Sequence, residues 1–81
     1  MTNSQMKPGR YLRWHEARKR IAWIQTRLAE GMTVQLTTYT KATRYTAKHA
    51  TMFRAARDGA YVQRGKYWDC IDGCHLTAYR R

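Results

Sequence analysis

Carboxylates are scarce in this 81-residue chain: five, against sixteen Lys and Arg. Glu16, Glu30, Asp58, Asp69 and Asp72 are scattered, so no pair is spaced for acid–base work. Glycine is equally sparse, at five residues, and no glycine-rich phosphate loop is present. No Ser or Cys nucleophile stands at a motif spacing from a base. The chain gives no reason to expect an enzyme. No apolar run reaches the length of a membrane span, and the N-terminus lacks the apolar stretch of a secretory signal. With two cysteines and no export signal, a reducing cytoplasm is the expected compartment.

Both cysteines fall in "RGKYWDCIDGCH", residues 64 to 75, the densest cluster of chemical side chains. Cys70 and Cys74 are separated by three residues, and His75 follows. Structural zinc commonly takes four ligands in two close pairs, and the second pair is missing. His15 and His49 are distant and sit in helical patterns. Covalent haem uses Cys-x-x-Cys-His, and a redox pair normally has that shorter spacing beside a helix N-terminus. Neither fits. The expectation is no metal and no cofactor: Cys70 ends a strand, Asp72-Gly73 turns, and Cys74 lies beyond.

What the chain has in excess is positive charge, +11 overall. Such an excess costs self-repulsion and points to a polyanionic partner, most often nucleic acid. The plainer alternative is a solubilising surface.

Residues 1–9 are polar, end in Pro8-Gly9, and read as a flexible leader. Trp14, Ala17, Ile21, Ile24 and Leu28 then recur at three- and four-residue intervals, which predicts a helix from Arg10 to Glu30 closed by Gly31. Residues 33–46 are rich in Thr, Tyr and Val and predict one long strand. Alternation puts Val34 and Leu36 toward the core and Gln35, Thr37, Tyr39, Lys41, Thr43 and Tyr45 on the open face. Thr46 caps a second predicted helix, Ala47 to Asp58, stopped by Gly59. "AYVQRGKYWDCI" alternates around Arg64-Gly65 and predicts a hairpin. Residues 73–81 have too little pattern to assign and read as a basic C-terminal tail after a domain spanning 10–72.

The expected architecture is therefore α+β, in the order α-β-α-β-β. Two helices pack on one face of a three-stranded sheet, and a right-handed crossover makes the first two strands parallel. Its core is Trp14, Ile21, Ile24, Leu28, Val34, Leu36, Met52 and Phe53. A winged helix, with the second helix in the major groove, is the competing arrangement.

Two surfaces are candidates for phosphate and base contact. On the first helix Arg13, Arg20 and Arg27 recur every seven residues, with Trp23 on the same stripe. The sheet offers Tyr39, Lys41 and Tyr45, with Arg44 near the strand end and Arg64 and Lys66 flanking the hairpin tip. Tyrosine stacks on bases while Lys and Arg hold the backbone, as on single-strand platforms. The same tyrosines could instead be cross-strand packing. The expected function is a small nucleic-acid-binding protein, favouring DNA over RNA, with phosphate contacts supplying most of the affinity. The alternative is an interaction module, a small inhibitor or adaptor docking on an acidic protein.

Overall fold

The computed structural model describes residues 4–6, 14–38 and 40–80. The periodic stripe forms helix α1, Trp14–Ala29, which buries Ala17, Arg20, Ile21, Ile24 and Leu28. Gly31 adopts φ +84°, the left-handed conformation that ends the helix as the sequence predicts. Trp14 departs from the expected core. It is 46% exposed, with the Arg18 guanidinium 5.6 Å from its ring centroid.

The Thr-rich segment is not one strand but two, β2 (Thr33–Thr37) and β3 (Ala42–Tyr45). Between them the Thr38 amide donates to the Lys41 carbonyl at 2.9 Å, closing a hairpin. Folding back pairs Val34 with Tyr45 and Gln35 with Arg44, so the parity of a single strand is inverted. Tyr45 therefore enters the core at 7% exposure, and Arg44 takes the open face. Register parity decides every side chain's destination, and the reversal is complete.

The second expected helix does not form. A short 3-10 helix, Ala47–Met52, gives way to strand β4, Phe53–Ala56. Thr46 does open the turn, its amide donating to Nδ1 of His49 at 3.0 Å. Beyond it, Phe53 pairs with Val62 across β5 (Gly59–Arg64), and its ring meets Tyr45 edge-on with centroids 5.2 Å apart. Arg57-Asp58 is a tight hairpin turn leading into Gly59, where the sequence reading placed a helix end. Helix propensity at Ala47, Ala50, Ala55 and Ala56 is outweighed by this pairing and aromatic packing. The hairpin read from Arg64-Gly65 is present: β5 turns through Gly65, φ +59°, into β6, Tyr67–Cys70. The final segment forms β7, His75–Tyr79.

Two sheets result, both antiparallel. One has the order β1 (Ser4–Met6), β7, β2, β3, and the other β4, β5, β6. This overturns the expected pair of helices on a single three-stranded sheet, its parallel crossover, and the winged-helix alternative, whose reading helix is missing. Helix α1 packs on β4, β5 and β2. Ile24, Leu28, Val34, Phe53, Val62 and Leu76 share one continuous core. Burying each of the larger aliphatic side chains stabilises the fold by about 1.5–3 kcal/mol before chain entropy is counted.

The chain crosses between sheets at Ile71–Cys74, and that crossing is pinned by buried polar bonds. The Asp72 carboxylate accepts from the Ala60 amide at 2.8 Å, and the Ile71 amide donates to the Ala60 carbonyl at 2.8 Å. Arg20 reaches from α1 to donate to the Cys74 carbonyl at 3.2 Å. Gly59 fits against Asp72 because it has no side chain: a Cβ there would lie 2.5 Å from Oδ2.

Candidate nucleic-acid interface

Of the residues expected to bind phosphate, the helix stripe is dispersed by the fold. Arg13 lies outside the described residues, as does Tyr39. Arg20 is 3% exposed and bound to the interior. Burial lowers its pKa, and the nearby Asp72 carboxylate partly opposes that shift. Arg27 pairs with Glu30 at 3.2 Å and covers the half-buried Trp23, with its guanidinium 5.4 Å from the ring. These groups already have partners inside the protein.

The residues expected on the sheet also separate. Arg44 is exposed on the four-stranded sheet and donates to Oε1 of Gln35 at 3.2 Å. Tyr45 is a core residue, and burial raises its phenol pKa despite the neighbouring Arg64. Arg64 pairs with Asp69 at 3.0 Å, while Lys41 and Lys66 are exposed in their respective hairpin turns. Lys41, Tyr45 and Arg64 come together around one pocket between the sheets.

A different face concentrates aromatic and cationic groups. Pairing places Arg54 opposite Tyr61, Tyr61 opposite Cys70, and Gln63 opposite Trp68, on the side of the three-stranded sheet away from Phe53 and Val62. Trp68 is 39% exposed, and the Arg54 guanidinium lies over its ring at 4.7 Å. Such a contact stabilises by about 0.5–1 kcal/mol at an exposed site. Its larger consequence is orientation: the indole is held beside a cation. The nearby Asp58 carboxylate raises the Tyr61 phenol pKa. Tyr67, at 74% exposure, stands at the hairpin end beside Lys66, and Arg57 occupies the turn at the opposite end. Arg54, Arg57 and Lys66 form no ion pair among the described residues. The strand length separates those two turns by about 20 Å.

Arg54 is absent from the sequence-level candidates because residues 53–56 read as helix; Tyr61 and Trp68 lie in the expected hairpin, and only the pairing of β4 with β5 sets a cation beside them. Once residues 53–56 are a strand, alternation across the Arg57-Asp58 and Gly65-Lys66 turns puts Arg54, Tyr61 and Trp68 on one face. The signal was Asp58-Gly59, which marks a hairpin as readily as a helix stop.

Cys70 is exposed and Cys74 buried; burial raises the pKa of both thiols and favours their protonated forms. Among the described residues no group of three or more His, Cys, Asp or Glu could hold a metal ion, and no helix is long and apolar enough to cross a membrane. No protein-family model, curated protein or solved structure matches the chain. Fold and face together define a small basic α+β domain with an open aromatic–cationic sheet.

Proposed function

We propose that this protein binds nucleic acid, with bases of an unpaired strand stacking on the outer face of β4–β5–β6. The observation that carries the reading is the solvent-facing Trp68 ring with Arg54 held 4.7 Å from its centroid. A base stacks on an exposed indole whatever its identity, and such contacts contribute about 1–3 kcal/mol each. Arg57 and Lys66 hold the backbone at the two ends of the sheet, while Tyr67, opposite Arg64, takes the register of the other face. The net charge of +11 supports accumulation of polyanion at the surface.

The test is fluorescence anisotropy with short labelled oligo(dT) and oligo(U) across a salt series. Affinity is expected to fall with salt along a log–log slope of about −0.7 per phosphate engaged. Intrinsic tryptophan fluorescence should be quenched on binding, and Trp68→Phe should remove most of the quench. Absence of binding at low salt would sink the proposal and leave an acidic protein as the polyanionic partner.

A further inference from the structure

Behind the stacking face, between the two sheets, lies a pocket of about 250 Å³. It opens between β3 and β6, each of which pairs with one neighbour among the described strands. Leu36, Val62 and Ile71 give it an apolar floor, and the buried Tyr45 forms part of the wall. Its polar groups are few and of distinct kinds. Thr38 and Thr43 bring hydroxyls, Lys41 an exposed ammonium, and Asp69 the pocket's one carboxylate. Arg64 holds Asp69 through Oδ2 at 3.0 Å, so Oδ1 and the remaining lone pairs stay open to a donor.

A largely apolar slot with one carboxylate anchored by Arg64 and a second cation, Lys41, without an ion pair among the described residues suits a planar heterocycle that carries N–H donors and a negative tail. Its volume is below that of pockets for drug-sized ligands, about 300–1,000 Å³, and fits one ring system. Among nucleobases, guanine presents ring and exocyclic N–H donors side by side on one edge, the arrangement a carboxylate accepts in two parallel bonds. Adenine and thymine offer no such pair, and cytosine offers only its amine. We infer that this pocket is a guanine-nucleotide subsite, with the base edge on Asp69 and the phosphate on Lys41. The inference rests on the nucleic-acid reading and deepens it: a guanine at an unstacked position or strand end enters the pocket while its neighbours stack over the edge of β6 on Trp68. Strand β6 makes that route short, since Trp68 and Asp69 are consecutive residues on its opposite faces.

Mononucleotides test the pocket apart from the stacking face. In amide chemical-shift titrations of the nitrogen-labelled protein, dGMP is expected to move Leu36, Thr43, Val62 and Asp69 and to bind more tightly than dAMP, dCMP or dTMP. The inosine analogue dIMP lacks the exocyclic amine and should bind roughly tenfold more weakly than dGMP, the effect of one lost bond to a charged acceptor. This comparison needs no variant and so cannot be confused with misfolding. Asp69→Asn should erase the preference for dGMP over dIMP. Lys41→Ala should weaken dGMP while leaving deoxyguanosine, which has no phosphate, unaffected. Equal affinity for all the mononucleotides, or shifts confined to the Trp68 face, would overturn the assignment. Oligo(dT) contains no guanine and reports the outer face separately. Its binding without dGMP selectivity removes the pocket and keeps the function, whereas selective dGMP binding without oligo(dT) binding does the reverse.

Discussion

At the crossing from β6 to β7, Arg20 is 3% exposed and its guanidinium is fixed on the Cys74 carbonyl. On the outer face of the three-stranded sheet, Arg54 is exposed, with its guanidinium 4.7 Å from the Trp68 ring centroid. Both are arginines, yet one closes the fold and the other prepares a surface. The difference lies in what surrounds the charge. Arg20 and Asp72 are removed from water, and each bond there is expensive to leave unmade. Arg54 keeps its solvation and gives the indole an orientation, which has little weight in stability and much in recognition.

The sharpest way to break this contrast is at Gly59, on the buried side. Alanine there combines an unfavourable φ of +153° with a Cβ 2.5 Å from Asp72 Oδ2. The carboxylate must move and give up the Ala60 amide. Strain, overpacking and a lost buried bond together should cost on the order of 4 kcal/mol. Urea denaturation followed by circular dichroism would measure it. A variant as stable as wild type would mean that the crossing is not held by Asp72.

Arg20→Ala comes next. It removes the donor to the Cys74 carbonyl and a cation that interacts with Asp72, and empties the space filled by the side-chain stem. A loss of about 2–4 kcal/mol is expected, with Arg20→Met recovering the packing part only. The same substitution at Arg54 should change stability by less than about 1 kcal/mol. Equal destabilisation of the Arg20 and Arg54 variants would mean that junction and platform are not energetically distinct.

Trp68→Ala tests the exposed side. Oligonucleotide affinity should fall by about 1–3 kcal/mol while the urea midpoint moves little and the salt slope is retained. Loss of stability with affinity intact would instead assign the ring to the sheet.

The way these two regions were legible in the sequence differs for a physical reason. Helix α1, its buried stripe and the Gly65 hairpin were readable because each depends on local spacing. Arg20 was misjudged because its place in a seven-residue charge stripe looked exposed, and burial of an arginine depends on a distant carbonyl supplied by the crossing loop. Tyr45 and Arg44 exchanged faces because a turn at 38–41 inverted the parity that one long strand would keep. Residues 53–56 were read as helix on local propensity, while their pairing to β5 is tertiary. Only that pairing brings Arg54 to the face that Tyr61 and Trp68 share. Net charge points to a class of partner and carries no information on which surface meets it.

The smallest expected effect belongs to Lys66, in the hairpin turn beside Tyr67. It is exposed and makes no ion pair among the described residues, so Lys66→Ala should leave stability within about 0.5 kcal/mol of wild type. If Lys66 holds one phosphate of an unpaired strand, its loss should make the log–log salt slope shallower by about 0.7. The drop in affinity should be the same for oligo(dT) and for mixed sequences, because a phosphate contact carries no base information. Arg44→Ala provides the contrast, since that cation lies on the other sheet and bonds to Gln35. A slope changed by Arg44 and untouched by Lys66 would move the interface to the four-stranded sheet. Equal changes from both would mean that the phosphate path runs across both sheets, with the pocket between β3 and β6 along its course.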